Sequence, residues 1–307
     1  MFQIIGKTNI DFVGKRRYTF IFSGIMALVG LIALISISLG KANLGIDFGG
    51  GIAVQGNFKK QIDIGDLRSA MSKSGYTDVF IQELKREAPN SYLIRLKTPP
   101  TGETNKVGED ILRILKQEFP DNDFTQDSID EVGPAVGKML QKQARLAVLL
   151  AFAGILIYIW IRFDFRFGVA ATIATLHDVL AILGIIFILQ KEITLLVITA
   201  LLTLAGYSLT DKVVVFDRIR ENLKLFRKRG SFPDTVNSSI NEVLARTIVT
   251  SATTLFAALA IFLVGGEVTR DFALALVLGI AVGTYSSIFV ASPIVVEWEL
   301  KSPKRFK

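Results

Sequence analysis

Residues 18–39 read YTFIFSGIMALVGLIALISISL, a run without a single charged side chain. At 1.5 Å per helical residue, this run is long enough to cross the ~30 Å hydrocarbon core of a bilayer. It follows Lys15, Arg16 and Arg17, and it is too long for the apolar core of a cleavable signal peptide. The run therefore predicts a first transmembrane helix that is retained as an anchor.

Further apolar runs of similar length follow in this chain of 307 residues, half of which are hydrophobic. A soluble core protein interrupts such runs more often, so the pattern predicts a polytopic α-helical membrane protein with six transmembrane helices. The predicted spans are 18–39, 144–161, 168–189, 193–216, 243–264 and 272–295. The predicted organisation is an N-terminal segment 1–17, span 18–39, a polar domain 40–143, a bundle 144–296 and a basic tail 297–307.

Lysine and arginine in the short connecting segments predict the orientation, because such residues concentrate on the cytoplasmic side. The other side offers only Lys191 and Arg270 in its short turns. Both termini are therefore predicted to be cytoplasmic, and 40–143 to be extracytoplasmic. The basic residues of the predicted cytoplasmic side are Lys7, Lys15, Arg16, Arg17, Arg162, Arg166, Arg218, Arg220, Lys224, Arg227, Lys228, Arg229, Lys301, Lys304, Arg305 and Lys307.

The polar domain between the first two spans alternates strand-like and helix-like patterns. Their order, βαββαβ, is that of a ferredoxin-like α+β fold, and the alternative is an irregular α+β insertion. The predicted strands are 52–58, 78–84, 91–97 and 123–132, and the predicted helices are 62–75 and 105–119.

Composition excludes several kinds of site. The chain has no cysteine, which excludes disulfides and thiolate metal sites, and its single histidine, His177, leaves no His-cluster metal site. The net charge of +7 arises from segments that flank the apolar runs, so nucleic-acid binding is not expected. Residues 133–138, GPAVGK, lack the spacing and the hydroxyl residue of a phosphate-binding loop. No enzymatic activity, cofactor or metal is expected.

Asp211 and Arg246 are charged residues inside two consecutive antiparallel spans. Asp211 follows Ile193 by 18 residues and Arg246 precedes Val264 by 18 residues, which places both roughly 27 Å below the outer surface. A carboxylate and a guanidinium at one depth can pair, which lowers the desolvation cost of each. In the alternative interpretation, Asp211 lies at the inner membrane interface and Lys212 extends to the headgroups.

Polar residues near this pair predict a polar strip through the inner half of the membrane. Ser208 lies on the face of Asp211, and Thr250 and Thr253 follow Arg246 at helical spacing. His177 and Asp178 lie near the middle of the third span; they extend the candidate pathway, although a lone histidine is as often a packing residue. Such a strip suits proton passage, because a shielded carboxylate can gain and lose a proton.

Two glycine patterns predict local structure. Gly279 and Gly283 form a G-x-x-x-G pattern in the last span, which favours close helix packing. The segment GIDFGGG connects the first span to the polar domain, and its glycines favour a tight turn or hinge there. These glycines are Gly45, Gly49, Gly50 and Gly51.

The segment GYSLTDKVVVFDRIREN (206–222) resembles the fourth-span signature of the SecF branch of the SecD/SecF family. GIDFGGG, VGPAVG, RFDFRFG (162–168), HDV (177–179), ARTIVTSATTL (245–255) and GTYSSIFVASP (283–293) are similar to SecF motifs in the same order. The resemblance covers about residues 8–296.

This resemblance implies a subunit of bacterial protein export, of the resistance-nodulation-division type, in the cytoplasmic (inner) membrane. It implies that a SecD half completes a twelve-span unit, which uses the proton motive force to pull unfolded preproteins from the SecYEG channel after the SecA steps. YajC and YidC are further partners that it implies.

The family pattern also implies that Asp211 and Arg246 are the proton-linked residues. The family usually shows Asn before this aspartate and Thr or Ser after it, and the chain departs from that pattern with Thr210 and Lys212. Sodium is an alternative coupling ion. The competing functional classes are a self-sufficient small-molecule efflux transporter and a passive scaffold.

Overall fold

Six helical segments of the chain are long and apolar enough to cross a membrane, which confirms the predicted number. The structure is a computed structural model that describes residues 6, 8–77, 79–84, 89–97, 105–225 and 231–303. Of the basic residues used for the orientation, those outside this part are Lys7, Arg227, Lys228, Arg229, Lys304, Arg305 and Lys307. In chain order the elements are α1 (Arg16–Ser38), α2 (Ile46–Gly49), β1 (Gly51–Phe58), α3 (Ile64–Lys73), β2 (Val79–Glu83), β3 (Ser91–Lys97), α4 (Asn105–Glu118), β4 (Phe124–Val132), α5 (Pro134–Arg162), α6 (Phe165–Ile188), α7 (Leu195–Leu225), α8 (Phe232–Val264), α9 (Glu267–Ser286), a π-helical turn (Ser287–Ala291) and α10 (Ser292–Lys301).

Several membrane helices extend beyond their predicted spans. The helix that carries the predicted span 144–161 begins already at Pro134, directly after β4. The helix that carries 243–264 begins at Phe232, where Ser231 and Asp234 form a capping box. Hydropathy marks only the apolar part of a helix, whereas caps and prolines mark where the helix itself begins.

The α+β domain has the predicted ferredoxin-like arrangement. Its four strands form an antiparallel sheet in the order β2-β3-β1-β4. Leu67 and Met71 of α3 and Ile111 and Leu115 of α4 are buried in one core with the apolar face of the sheet. The alternative of an irregular insertion is therefore wrong.

The α+β domain lies at the opposite end of the helix bundle from the start of α1 and from α10. Arg16, at the start of α1, bonds Glu297 of α10 through Nε and Oε1 at 2.6 Å, so these two helices meet there. We call this the terminal end, and the end that carries the α+β domain the domain end. The structure contains no membrane, so which end is cytoplasmic stays a prediction.

The GIDFGGG segment holds the domain against the bundle. Gly50 and Gly51 adopt φ values of 71° and 151°, and a Cβ on Gly51 would lie 2.3 Å from the carbonyl oxygen of Leu96. Such positions require glycine. Gly45 donates a backbone hydrogen bond to Ile193 at 3.0 Å, and Asp47 Oδ2 accepts one from the backbone of Leu195 at 2.9 Å. The predicted hinge motion of this segment stays a prediction.

Candidate functional site

A group of polar and charged side chains lies buried inside the helix bundle. His177 and Asp178 on α6 and Ser208, Asp211 and Lys212 on α7 are all at most 6% exposed. Charged groups inside a membrane bundle are costly unless they are paired or take part in function. Each charge in this group is therefore expected to have a partner or a function.

Asp178 and Lys212 form a fully buried ion pair between α6 and α7. Lys212 Nζ lies 2.6 Å from Asp178 Oδ2 and 2.5 Å from Ser208 Oγ. Ser208 also donates its hydroxyl hydrogen to Asp178. Because Lys212 is 0% exposed, the interpretation that it extends to the lipid headgroups is wrong.

His177 joins this pair from the same helix as Asp178. Its Nδ1 lies 2.9 Å from Asp178 Oδ1, although neighbouring helix positions point about 100° apart. Its other ring nitrogen, Nε2, is buried with no hydrogen-bond partner in the described part of the chain. We call His177, Asp178, Ser208 and Lys212 the charge cluster.

Asp211 points away from the charge cluster, towards α8. Ser251 donates its hydroxyl to Asp211 Oδ2 at 3.3 Å, and Thr284 of α9 donates to Ser251 Oγ at 2.7 Å. The hydroxyl of Thr247, one turn before Ser251, is buried without a hydrogen-bond partner among the described residues. Within the described ranges, Asp211 forms no ion pair. Asp178 is thus compensated by a cation and Asp211 is not.

The predicted pair of Asp211 and Arg246 does not form, which corrects the prediction. Arg246 is exposed on α8, while the side of α8 that meets Asp211 carries Thr247 and Ser251. Two residues at the same depth lie at the same height on their helices. Their side chains can still point to different sides of each helix, so equal depth does not bring them together.

Thr250 and Thr253 share the exposed side of Arg246. Each hydroxyl donates to a backbone carbonyl of α8, that of Thr250 to Arg246 at 3.0 Å and that of Thr253 to Thr250 at 2.8 Å. These two residues therefore do not join the buried polar group. Ser208, His177 and Asp178 do.

Glycines set the distance between α7 and α9 beside the site. A Cβ on Gly279 would lie 2.1 Å from Leu204 Cδ1, and one on Gly283 would lie 3.0 Å from Ser208 Cβ. The G-x-x-x-G pattern thus lies where α9 packs on α7, next to the charge cluster.

The comparisons with known proteins agree with this architecture. The family described as "Protein export membrane protein SecD/SecF, C-terminal" matches residues 112–301. The chain belongs to the SecD/SecF family. It is 52% identical to the Protein translocase subunit SecF of Thermodesulfovibrio yellowstonii over 297 residues, which cover 96% of this chain and 97% of that relative. It is 42% identical to the SecF subunit of Calditerrivibrio nitroreducens over 289 residues, covering 94% and 93% of the two chains.

A solved member of the SecD/SecF family has the same fold. The crystal structure of SecDF, a translocon-associated membrane protein from Thermus thermophilus, matches with a TM-score of 0.83 at 35% identity over 98% of this chain. A SecDF structure in a super-membrane-facing form matches with a TM-score of 0.67 at 36% identity. This chain spans 40% of the length of each solved SecDF chain.

Proposed function

We propose that this chain is a SecF subunit of the bacterial Sec protein-export machinery that uses the proton motive force to promote late preprotein translocation. The names of its relatives support a role in protein export. The proposed location is the cytoplasmic membrane, with both termini in the cytoplasm and the α+β domain outside. The proposed role is that of a non-enzymatic energy transducer.

The observation that carries the proposal is the state of Asp211. It is 6% exposed, accepts one hydrogen bond from Ser251, and has no ion-pair partner within the described ranges. An ionised carboxylate in such a place is costly, and taking up a proton relieves that cost. Asp211 is therefore suited to exchange protons, whereas Asp178 is paired with the ammonium group of Lys212.

The relatives support SecD as a partner, and the other proposed partners come from the family resemblance. A SecD half would complete the twelve-span unit, since this chain spans 40% of the solved SecDF chain. The SecYEG channel with SecA would hand over the preprotein, and YajC and YidC are further proposed associates. Arg246 lies on an exposed side of α8, so its part in coupling stays a prediction from the family pattern.

Replacing Asp211 by Asn should abolish ion-driven export while leaving the chain folded and assembled. The amide keeps the size and the hydrogen bond of the carboxylate but cannot exchange a proton. The measurement is preprotein export in cells whose own copy is replaced, with and without an uncoupler. The variant should export at the rate of uncoupled wild-type cells.

The matched control is Asp217→Asn, the same substitution on the same helix. Asp217 pairs with Arg162 at the terminal end and its side chain is 39% exposed, so its loss should cost at most about 1 kcal/mol. Wild-type export in the Asp211→Asn variant would overturn the proposal. Drug transport by the chain purified without a partner would favour an efflux transporter instead.

A further inference from the structure

Helix α6 connects the charge cluster to the α+β domain. Asp178 lies in its middle, and the turn that follows its last residue, Ile188, carries Glu192. Glu192 accepts a hydrogen bond from the guanidinium of Arg95 on β3, and it is 8% exposed. Ile193 next to it pairs with Leu44 at the start of the domain. We call the contacts of Arg95 with Glu192 and of Leu44 with Ile193 the domain contact.

Helix α6 is also locked to α1, which leads into the domain. A Cβ on Gly184 would lie 2.8 Å from the backbone nitrogen of Gly30, and one on Gly30 would lie 2.0 Å from the carbonyl oxygen of Leu180. The two backbones touch without intervening side chains, so a displacement of α6 shifts α1 as well. The packing of α1 and the domain contact both depend on the position of α6, whereas α5 joins the domain to the bundle directly after β4.

Lys212 lies beside two buried carboxylates and is bound to one of them, Asp178. It follows Asp211 in sequence, and its ammonium group is bound to Asp178 on α6. Its long flexible stem allows the ammonium to change partners. When Asp211 is protonated, Asp178 alone attracts Lys212; when Asp211 is ionised, two buried carboxylates compete for it.

The other described elements that pack against α7 offer no competing buried charge at this height. From α8 the facing groups are Thr247 and Ser251, and from α9 it is Thr284, all of them uncharged. The cation of α8, Arg246, is exposed, and Arg162 of α5 pairs with Asp217 at the terminal end. From α6 the facing groups are Asp178 and His177. Lys212 is therefore the buried group that responds to the charge of Asp211.

We propose that Lys212 and Asp178 are positioning residues that pass the charge state of Asp211 to α6, and through the domain contact to the α+β domain. Ionisation of Asp211 weakens the hold of Lys212 on Asp178, which loosens α6 from α7. Protonation restores the pair. This inference rests on the proposed proton exchange at Asp211 and adds the path by which that exchange moves the domain.

The test is a distance measurement in the full chain assembled with its SecD partner in liposomes. The chain has no cysteine of its own, so spin labels can be placed at Ser72→Cys on α3 and Ile261→Cys on α8, both exposed positions, together with a SecD partner from which any cysteines have been removed. In the wild type, the distance distribution should shift between low and high pH. In the double variant Asp178→Asn/Lys212→Met, this shift should be lost, although neither Asp178 nor Lys212 leaves an unpaired buried charge behind.

The matched control is Arg218→Gln/Glu242→Gln, which neutralises another pair between α7 and α8, at 2.5 Å near the terminal end. It should keep the full shift. A full shift in the Asp178→Asn/Lys212→Met variant would overturn the inference. The Asp211→Asn variant should lose the shift whether or not Lys212 and Asp178 act as the relay. If that variant retained the shift, the proposed function would be overturned instead.

A second variant tests the same relay with a smaller change. Ser208→Ala removes the hydroxyl that accepts from Lys212 and donates to Asp178. The ammonium is then freer to approach ionised Asp211, so the midpoint of the shift should move to lower pH by up to about one unit. If Ser208 only stabilised the fold, Ser208→Ala would leave the pH midpoint of the distance shift unchanged. An unchanged pH midpoint would therefore overturn the inference.

Discussion

Replacing Lys212 by Met should destabilise the folded chain by about 3–5 kcal/mol, because Asp178 would keep a buried charge without its cation. Methionine is unbranched and fills similar space, so the change removes the ammonium without opening a large cavity. Asp178 is 1% exposed and would retain only the hydrogen bonds from Ser208 and His177. The measurement is the midpoint temperature of unfolding of the purified chain in detergent, together with the amount of chain in the membrane.

The double variant Asp178→Asn/Lys212→Met should recover most of this stability, because neither buried charge remains. Lys191→Met is the control: its ion pair with Asp271, 3.0 Å long, is 39% and 29% exposed at its two side chains and contributes at most about 1 kcal/mol. Equal unfolding midpoints for Lys212→Met and the wild type would contradict the buried ion pair. The combination of a stable double variant and a lost pH response would separate the structural role of the pair from its role in coupling.

The fold was largely predictable from sequence, because both parts have strong periodic signals. The apolar runs are fixed by the thickness of the bilayer, and the polar domain alternates strand and helix patterns over a short, locally paired topology. Its β1 strand, for example, is predicted at 52–58 and observed at Gly51–Phe58. The start of α5 at Pro134 was missed, because its first turns are polar and lie outside the apolar run.

The site was predicted only in part. The sequence gives the depth of a residue along its helix, but it does not give which neighbouring helix the side chain faces. The sequence placed Asp211 and Arg246 at one height, but the structure directs Arg246 outwards and places Ser251 against Asp211. For Lys212 the sequence offers extension to the headgroups only as the alternative interpretation, and it does not predict the ion pair with Asp178. The spacing of four residues between Ser208 and Lys212 was a usable signal, since such neighbours share one helix face.

The packing of α1 against α6 gives the second prediction. Gly30→Ala should separate α1 from α6 and destabilise the chain by about 1–3 kcal/mol or more, because the added Cβ would meet Leu180 backbone atoms at 2.0, 2.4 and 2.8 Å. Backbone atoms of a helix cannot move aside as a side chain can, so one of the two helices must shift. Cysteine cross-linking between the two helices, together with the unfolding midpoint, measures the change.

The same helix supplies the control. Gly24→Ala adds the same methyl group to α1, where the new Cβ would have no atom within 4 Å beyond its own stretch of helix. Alanine favours the helix over glycine by about 1 kcal/mol. Gly24→Ala should therefore be neutral or stabilising while Gly30→Ala is destabilising, so the two variants differ in sign although they share one chemical change. Equal stability of the two would mean that α1 and α6 are not in backbone contact. In that case a displacement of α6 would not shift α1, and the charge cluster would be connected to the domain through the domain contact of Arg95 with Glu192 and of Leu44 with Ile193.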